Sequence, residues 1–230
     1  DSLFEIPGTY PLLPEEVQPR IKLATDILED IVGHKVVSWR CPRLFGGTHV
    51  TNALEALGYE CDATYPMYFY NEQLFPYHPS QENWTEQGSL NLIEIIQFAD
   101  MGMESKDDYG RDKDQWPLYR TQSTEAFIPH IESFMSYLEK NDQSQKPIVL
   151  CFYFHPWEFW EMPEGVIHYG EGGVMPDPFL TKGCGKYCLN EVELLIDWLK
   201  SKDATFLTAG QCARKWKNIL AKPDIKRTQR

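Results

Sequence analysis

The run Ile148-Val149-Leu150-Cys151-Phe152-Tyr153-Phe154-His155-Pro156-Trp157-Glu158 constrains the fold most, because seven consecutive apolar or aromatic residues lead straight into a His-Pro turn. Uninterrupted apolar character of this kind is expected of a strand covered on both faces. Pro156 cannot donate a ladder hydrogen bond, so pairing is expected to stop at His155. In parallel sheets and barrels, ligands collect at the carboxyl ends of strands, which makes His155 the place for a reactive histidine.

The rest of the chain alternates helix and strand signals. Pro14 followed by Glu15-Glu16 marks a helix start. Val17, Ile21, Ala24, Ile27, Leu28, Ile31 and Val32 then recur at helical spacing until Gly33, with Pro19 in the first turn or bending it. Val36-Val37-Ser38-Trp39 reads as a short strand. Gly46-Gly47-Thr48 opens a helix closed by Gly58, and 59–63 is the next strand. Residues 64–91 lack periodicity and read as a long ordered surface excursion. The strand Leu92-Ile93-Glu94-Ile95-Ile96 follows, and then a charged excursion over 99–122. A helix over 124–139 turns Phe127, Ile131, Phe134, Met135 and Leu138 inward, with Pro129 as a kink. Beyond the opening strand come a Gly/Pro-rich loop, a helix over 190–201, the strand 205–208 and a last helix to about Ala221. This alternation is the grammar of a parallel sheet or barrel built from right-handed crossovers. About five strands are found, fewer than the eight of a complete (β/α)₈ barrel.

An even spread of hydrophobic runs over 230 residues favours one domain, 1–222, ending in a frayed polar tail, 223–230. With 22 basic against 34 acidic residues, a net charge of −12, no basic stripe is available to follow a phosphate backbone, so nucleic acid is excluded as a partner. No run approaches the roughly 18 apolar residues that cross a bilayer, and the start, Asp1 to Gly8, lacks the charged and apolar regions of a secretory signal. The chain therefore reads as soluble, with its compartment open. Cys41, Cys61, Cys151, Cys184, Cys188 and Cys212 are scattered rather than arranged as a disulfide framework, and are expected mostly reduced and buried. Asn83-Trp84-Thr85 fits a glycosylation sequon, relevant only to a secreted chain.

Two strand ends carry candidate chemistry, Trp39-Arg40-Cys41-Pro42 and Phe154-His155-Pro156-Trp157-Glu158. Parallel neighbours would bring both to one face. The competing structural reading is a buried Arg–Glu pair and a hydrogen-bonded core histidine. His49 at a helix start reads as an exposed cap residue rather than a ligand contact. His168 and Tyr169 could line a substrate mouth. Asp107, Asp108, Asp112 and Asp114 do not match a calcium loop and read as a solvated face.

Four motifs, Ser38-Trp39-Arg40-Cys41-Pro42, Leu54-Glu55-Ala56-Leu57-Gly58-Tyr59-Glu60-Cys61-Asp62-Ala63, Phe152-Tyr153-Phe154-His155-Pro156-Trp157-Glu158-Phe159 and Ala204-Thr205-Phe206-Leu207-Thr208, resemble in order and spacing the later motifs of the polysaccharide deacetylase family, the NodB homology domain. The resemblance runs from about residue 10 to 215. It implies an α/β fold, an irregular (β/α) barrel, and hydrolysis of amide or ester groups, usually the N-acetyl group of amino sugars. It further implies that Arg40 orients a general base and that His155 is the general acid that protonates the leaving amine. Pro42, Phe45, Asp62, Trp157 and Glu158 would bind substrate in the pocket wall.

The family's early motifs have no counterpart here. There is no Asp-Asp strand end, and no two of His34, His49, His78, His130, His155 and His168 are four apart. Where the paired histidines are expected, the chain reads Pro7-Gly8-Thr9-Tyr10-Pro11. The resemblance therefore implies a zinc-like divalent metal whose ligands are not found in this chain, and a barrel incomplete at its N-terminus. The expectation is the C-terminal part of a longer or cleaved enzyme, completed by homo-oligomerisation or by a missing N-terminal segment, and acting on a saccharide or small amide. The alternatives are a metal-free ureide or cyclic-amide hydrolase of the same superfamily, and a noncatalytic carbohydrate-binding or assembly subunit that uses Trp84, Trp116 and Trp160.

Overall fold

The computed structural model describes residues 13–103, 113, 118–142, 144–163 and 165–221, with backbone alone at Tyr169. In chain order the elements are α1 (Pro14–Val32), β1 (Ser38–Trp39), α2 (Thr48–Ala56), β2 (Cys61–Asp62), α3 (Met67–Tyr70), β3 (Ile93–Glu94), α4 (Leu118–Thr121) and α5 (Thr124–Asn141). There follow β4 (Ile167–Tyr169), β5 (Gly172–Val174), α6 (Pro178–Thr181), α7 (Lys186–Ser201) and α8 (Ala209–Leu220), with single 3₁₀ turns at Pro42–Leu44 and Pro156–Phe159. The chain divides into two compact units. The described part of the first covers 13–97 and 207–221, and the second is Phe98–Phe206.

The first unit is built on a parallel sheet in the order β1-β2-β3. Ser38 pairs with Cys61 and Trp39 with Asp62, while Cys61 pairs with Ile93 and Asp62 with Glu94. Helix α1 begins where Pro14, which has no N–H to leave unsatisfied, meets the acidic Glu15 and Glu16, and the Glu16 carboxylate accepts the Leu13 N–H at 3.0 Å. It ends at Gly33, whose φ of 71° is the left-handed cap conformation that glycine adopts without a Cβ clash, its N–H bonded to the Glu29 carbonyl. Val17 and Ile21 join Val50, Ala53, Leu54, Tyr59 and Leu92 in the core that α1 and α2 share with the sheet. The inward face of α1 is narrower than its apolar spacing implies: Leu23, Ile27, Leu28 and Ile31 are exposed.

Residues 64–91 alternate exposed positions with buried anchors. Tyr65 and Tyr77 are buried, and Trp84, which only the binding-subunit alternative would have exposed, sits among Tyr65 and Tyr70 with only 5% of its surface accessible. Its indole covers Gly46 so closely that a Cβ there would overlap the ring. Tyr65, Tyr77 and Trp84 therefore serve packing, which releases about 25 cal/mol per Å² of apolar surface removed from water.

In the second unit α4, α5 and α7 pack on one another through Leu118, Phe127, Ile131, Phe134, Leu138, Leu195 and Leu199, all buried. Ser123 caps α5, its hydroxyl accepting the Ala126 N–H at 3.2 Å. β4 and β5 form an antiparallel hairpin. The expected buried strand at 148–155 has no regular secondary structure and belongs to no ladder among the described residues. The Cys151 carbonyl accepts the Phe98 N–H at 2.8 Å, the aromatic residues are half-buried, and Phe154 is exposed. The expected strand at 205–208 is exposed and in no ladder among the described residues, and Thr208 instead caps α8. The architecture is thus mixed helix and sheet, with one small parallel and one small antiparallel sheet; no closed barrel is present among the described residues. No described helix is long and apolar enough to cross a membrane.

Candidate functional site

His155, itself extended in backbone, follows the aromatic segment and precedes Pro156, which starts the 3₁₀ turn. That turn folds Glu158 back under the histidine: Glu158 Oε1 accepts the His155 backbone N–H at 2.7 Å and lies 3.0 Å from His155 Nδ1. Oε2 of the same carboxylate accepts the Tyr119 hydroxyl at 2.8 Å and Arg120 Nε at 3.1 Å. The side chains of Arg120 and Glu158 are wholly inaccessible, whereas that of His155 is 41% exposed. The imidazole stacks on Trp157, with ring centroids 5.2 Å apart, and Tyr153 meets it edge-on.

Arg120 is fixed at its other end. Nη1 donates to the carbonyls of Phe179 at 3.3 Å and Lys182 at 2.5 Å, and the guanidinium lies over the Trp157 ring. Gly183, with φ of 70°, is required beside it, since a Cβ there would collide with the Arg120 carbonyl oxygen. An ionised carboxylate only accepts hydrogen bonds, so Glu158 as an anion requires a proton on His155 Nδ1, and Nε2 is the ring's other nitrogen. Burial and the Glu158 charge push the Tyr119 hydroxyl far above its ordinary range, so Tyr119 stays a donor.

In the first unit Arg40 follows β1 and is half-buried, its Nε donating to the Ala63 carbonyl at 2.8 Å. Asp62 and Glu94, register partners at the ends of β2 and β3, are both fully buried. Glu94 Oε1 accepts the N–H groups of Thr64 at 3.0 Å and Tyr65 at 2.7 Å, and Asp62 Oδ1 accepts the Thr64 hydroxyl. Asp62 Oδ2 and Glu94 Oε2 have no hydrogen-bond partner among the described residues. Burial pushes Asp62 up from 3.8 to about 7, against the pull of Thr64, the Ala63 backbone and Arg40. Burial, and then the Asp62 charge, push Glu94 well above its ordinary value.

Arg40 therefore belongs to the first unit and His155 to the second. Pro42 and Phe45 are exposed and Trp157 is half-buried, as surface contacts can be. Asp62 and Glu158, expected in a pocket wall, are instead buried to 0% exposure; Glu158 has internal donors on both oxygens, and Asp62 has the Thr64 hydroxyl on Oδ1. His49 and His168 are exposed. Asp107, Asp108, Asp112, Asp114, Trp116, the 7–11 segment and the 223–230 tail lie outside the described residues, as does the Tyr169 side chain. A cavity of about 340 Å³ lined by Met162, Pro163, Met175, Pro176, Pro178 and Thr181 contains none of the expected site residues.

Tyr119, Arg120 and Glu94 are absent from the sequence-derived site. Arg120 lies in a charged stretch where nothing distinguishes a buried arginine. Glu94 did carry a signal, an acid in the middle of Leu92-Ile93-Glu94-Ile95-Ile96, since a carboxylate in a buried strand needs a reason.

The zinc-like metal that the resemblance implies needs a converging set of ligands. Among the described residues no three His, Cys, Asp or Glu side chains form one, so the described residues do not fit that group. No family model, curated protein or solved structure matches the chain.

Proposed function

We propose that this chain carries part of the catalytic apparatus of a hydrolase of non-peptide carbon–nitrogen bonds, acting on N-acetylated amino sugars or small amides. His155 serves as the general acid and Arg40 as the orienting cation. The observation that supports this reading most is the half-exposed His155 imidazole held through Nδ1 by a fully buried carboxylate. In hydrolysis, water adds to the carbonyl carbon and the carbon–nitrogen bond then breaks; His155 Nε2 transfers its proton to the departing nitrogen, which leaves as an amine. Glu158 keeps the ring oriented and stabilises the imidazolium before transfer.

The test is turnover by the intact protein on N-acetylglucosamine oligomers and on small cyclic amides, followed as release of acetate or ring opening. His155→Ala is expected to lower kcat by about 10²–10⁴-fold, the usual worth of a general acid, while the fold is retained. Equal turnover in wild type and variant would remove His155 from the mechanism. Saccharide binding without hydrolysis would favour the binding-subunit reading, for which Trp160, 73% exposed, is the available platform.

A further inference from the structure

Trp157 has no task in the scheme above beyond the pocket wall that the resemblance implies, yet its indole touches both groups that flank Glu158. The His155 imidazole stacks on it, with ring centroids 5.2 Å apart and planes 23° from parallel, and the Arg120 guanidinium lies 5.4 Å from its ring centroid. Glu158 bridges the same two residues, 3.0 Å from His155 Nδ1 and 3.1 Å from Arg120 Nε. One ring and one carboxylate therefore hold His155 and Arg120 together.

We propose that Trp157 is a positioning residue: its indole fixes the plane of the His155 imidazole, and with it the direction in which Nε2 points. The inference rests on the proton-transfer role given to His155 above. A hydrogen bond to Nδ1 alone fixes one atom of the ring and leaves it free to pivot about that contact, the more so because the side chain is 41% exposed. Face contact with a second ring removes the pivot. Since the imidazole is rigid, Nδ1 and the ring plane together determine where Nε2 lies, and a proton is transferred well only when donor and acceptor are held in line. Tyr153 meets the same ring at 88°, with centroids 5.6 Å apart, which adds an edge contact.

The platform is itself held. Trp157 lies in the 3₁₀ turn that Pro156 starts, and the N–H groups of Glu158 and Trp160 close that turn on the His155 and Trp157 carbonyls at 3.0 and 3.2 Å. The Arg120 side chain is inaccessible to solvent and tied to the carbonyls of Phe179 and Lys182. A guanidinium against an indole is an attractive contact in its own right, so Arg120 holds Trp157 in place as it holds Glu158. The turn presents the stack and the Nδ1 hydrogen bond as one unit spanning residues 155–158.

Trp157→Leu and Trp157→Phe in the intact protein test the proposal, since phenylalanine keeps an aromatic face and leucine removes it. Carbon-13 relaxation of the His155 ring reads the effect without substrate. The wild type and Trp157→Phe are expected to give an order parameter near the rigid value of about 0.85, and Trp157→Leu one below about 0.6. In turnover, Trp157→Leu is expected to lower kcat by about 10–100-fold with KM within about twofold, while Trp157→Phe keeps kcat within about threefold of wild type. An unchanged order parameter in Trp157→Leu would overturn the proposal. So would equal losses in the two variants, or a raised KM with kcat unchanged, which is the mark of a substrate wall. Where Trp157→Leu does not fold, the wild-type ring decides: a rigid ring supports the stack, and an order parameter below about 0.6 overturns it. Unchanged turnover in His155→Ala would instead remove the proposed function, and the relaxation result would judge the stack by itself.

Discussion

Glu158 and the Asp62–Glu94 pair are all carboxyl groups with no access to solvent, yet they are satisfied in opposite ways. Glu158 accepts from Tyr119, Arg120 and two His155 nitrogens, and its counter-charge is buried with it. Asp62 and Glu94 each receive donors on one oxygen only, while Arg40 spends its Nε on the Ala63 carbonyl. A buried carboxylate ringed by donors is rigid and can hold another side chain in place. A buried pair short of donors must keep a proton, and so becomes sensitive to pH.

The widest gap between the two centres is expected on removal of a partner. Arg120→Met strands the Glu158 charge and should cost about 3–5 kcal/mol in denaturant unfolding. Pairing it with Glu158→Leu should recover a large part of that loss, because no buried charge then remains. A cost below about 1 kcal/mol for Arg120→Met would place Glu158 with the under-partnered acids and break the contrast.

A third acid provides an intermediate case. Burial works against the Asp100 charge, but hydrogen bonds from His130 at 2.7 Å, Ser133 at 2.6 Å and the Gly102 N–H at 3.0 Å outweigh it and hold the carboxyl below its ordinary 3.8. Its stabilisation is present above 3.8 and is lost as pH falls below that. Asp100→Asn should cost about 1–2 kcal/mol at pH 7, and less in acid. A cost independent of pH would show that the hydrogen bonds, rather than the charge, carry the effect.

The smallest change is expected at the pair itself. Glu94→Gln should alter stability at pH 7 by less than about 1 kcal/mol, because the amide oxygen still accepts the Thr64 and Tyr65 N–H groups and the side chain carries no charge to bury. It should also flatten the decline in stability as pH rises from 3.8 to about 7, the range in which the folded pair keeps a proton that the unfolded chain has given up. A loss of several kcal/mol would mean that Glu94 is engaged as fully as Glu158.

Local signals carried the helices well. Pro14 and Gly33 bound α1 as their chemistry requires, and the apolar spacing of Phe127, Ile131, Phe134 and Leu138 matches the buried face of α5. Pairing was less legible. A run as apolar as 148–154 fits a strand, but whether it finds a ladder depends on neighbours that its own composition does not name. Trp84 shows the same limit, since a tryptophan between polar residues reads alike whether it meets a sugar or a ring of tyrosines.

The site was legible by halves. His155 and Arg40 stand out because a charged or titratable residue before or near a strand-ending proline is unusual. Glu158 was visible three residues after His155, but its role depends on Arg120, 38 residues earlier in the chain. The pairing of Asp62 with Glu94 depends on sheet register, which a one-residue slip would abolish.

The tautomer of His155 bears most directly on the claim that Glu158 prepares this histidine for proton transfer. Nitrogen-15 NMR of the intact, histidine-labelled protein, with His155 assigned by its loss in His155→Ala, reads it without any substrate. The neutral ring should carry its proton on Nδ1, with Nε2 the nitrogen that gains and loses one. A neutral ring protonated on Nε2, with Nδ1 bare toward Glu158, would contradict the account.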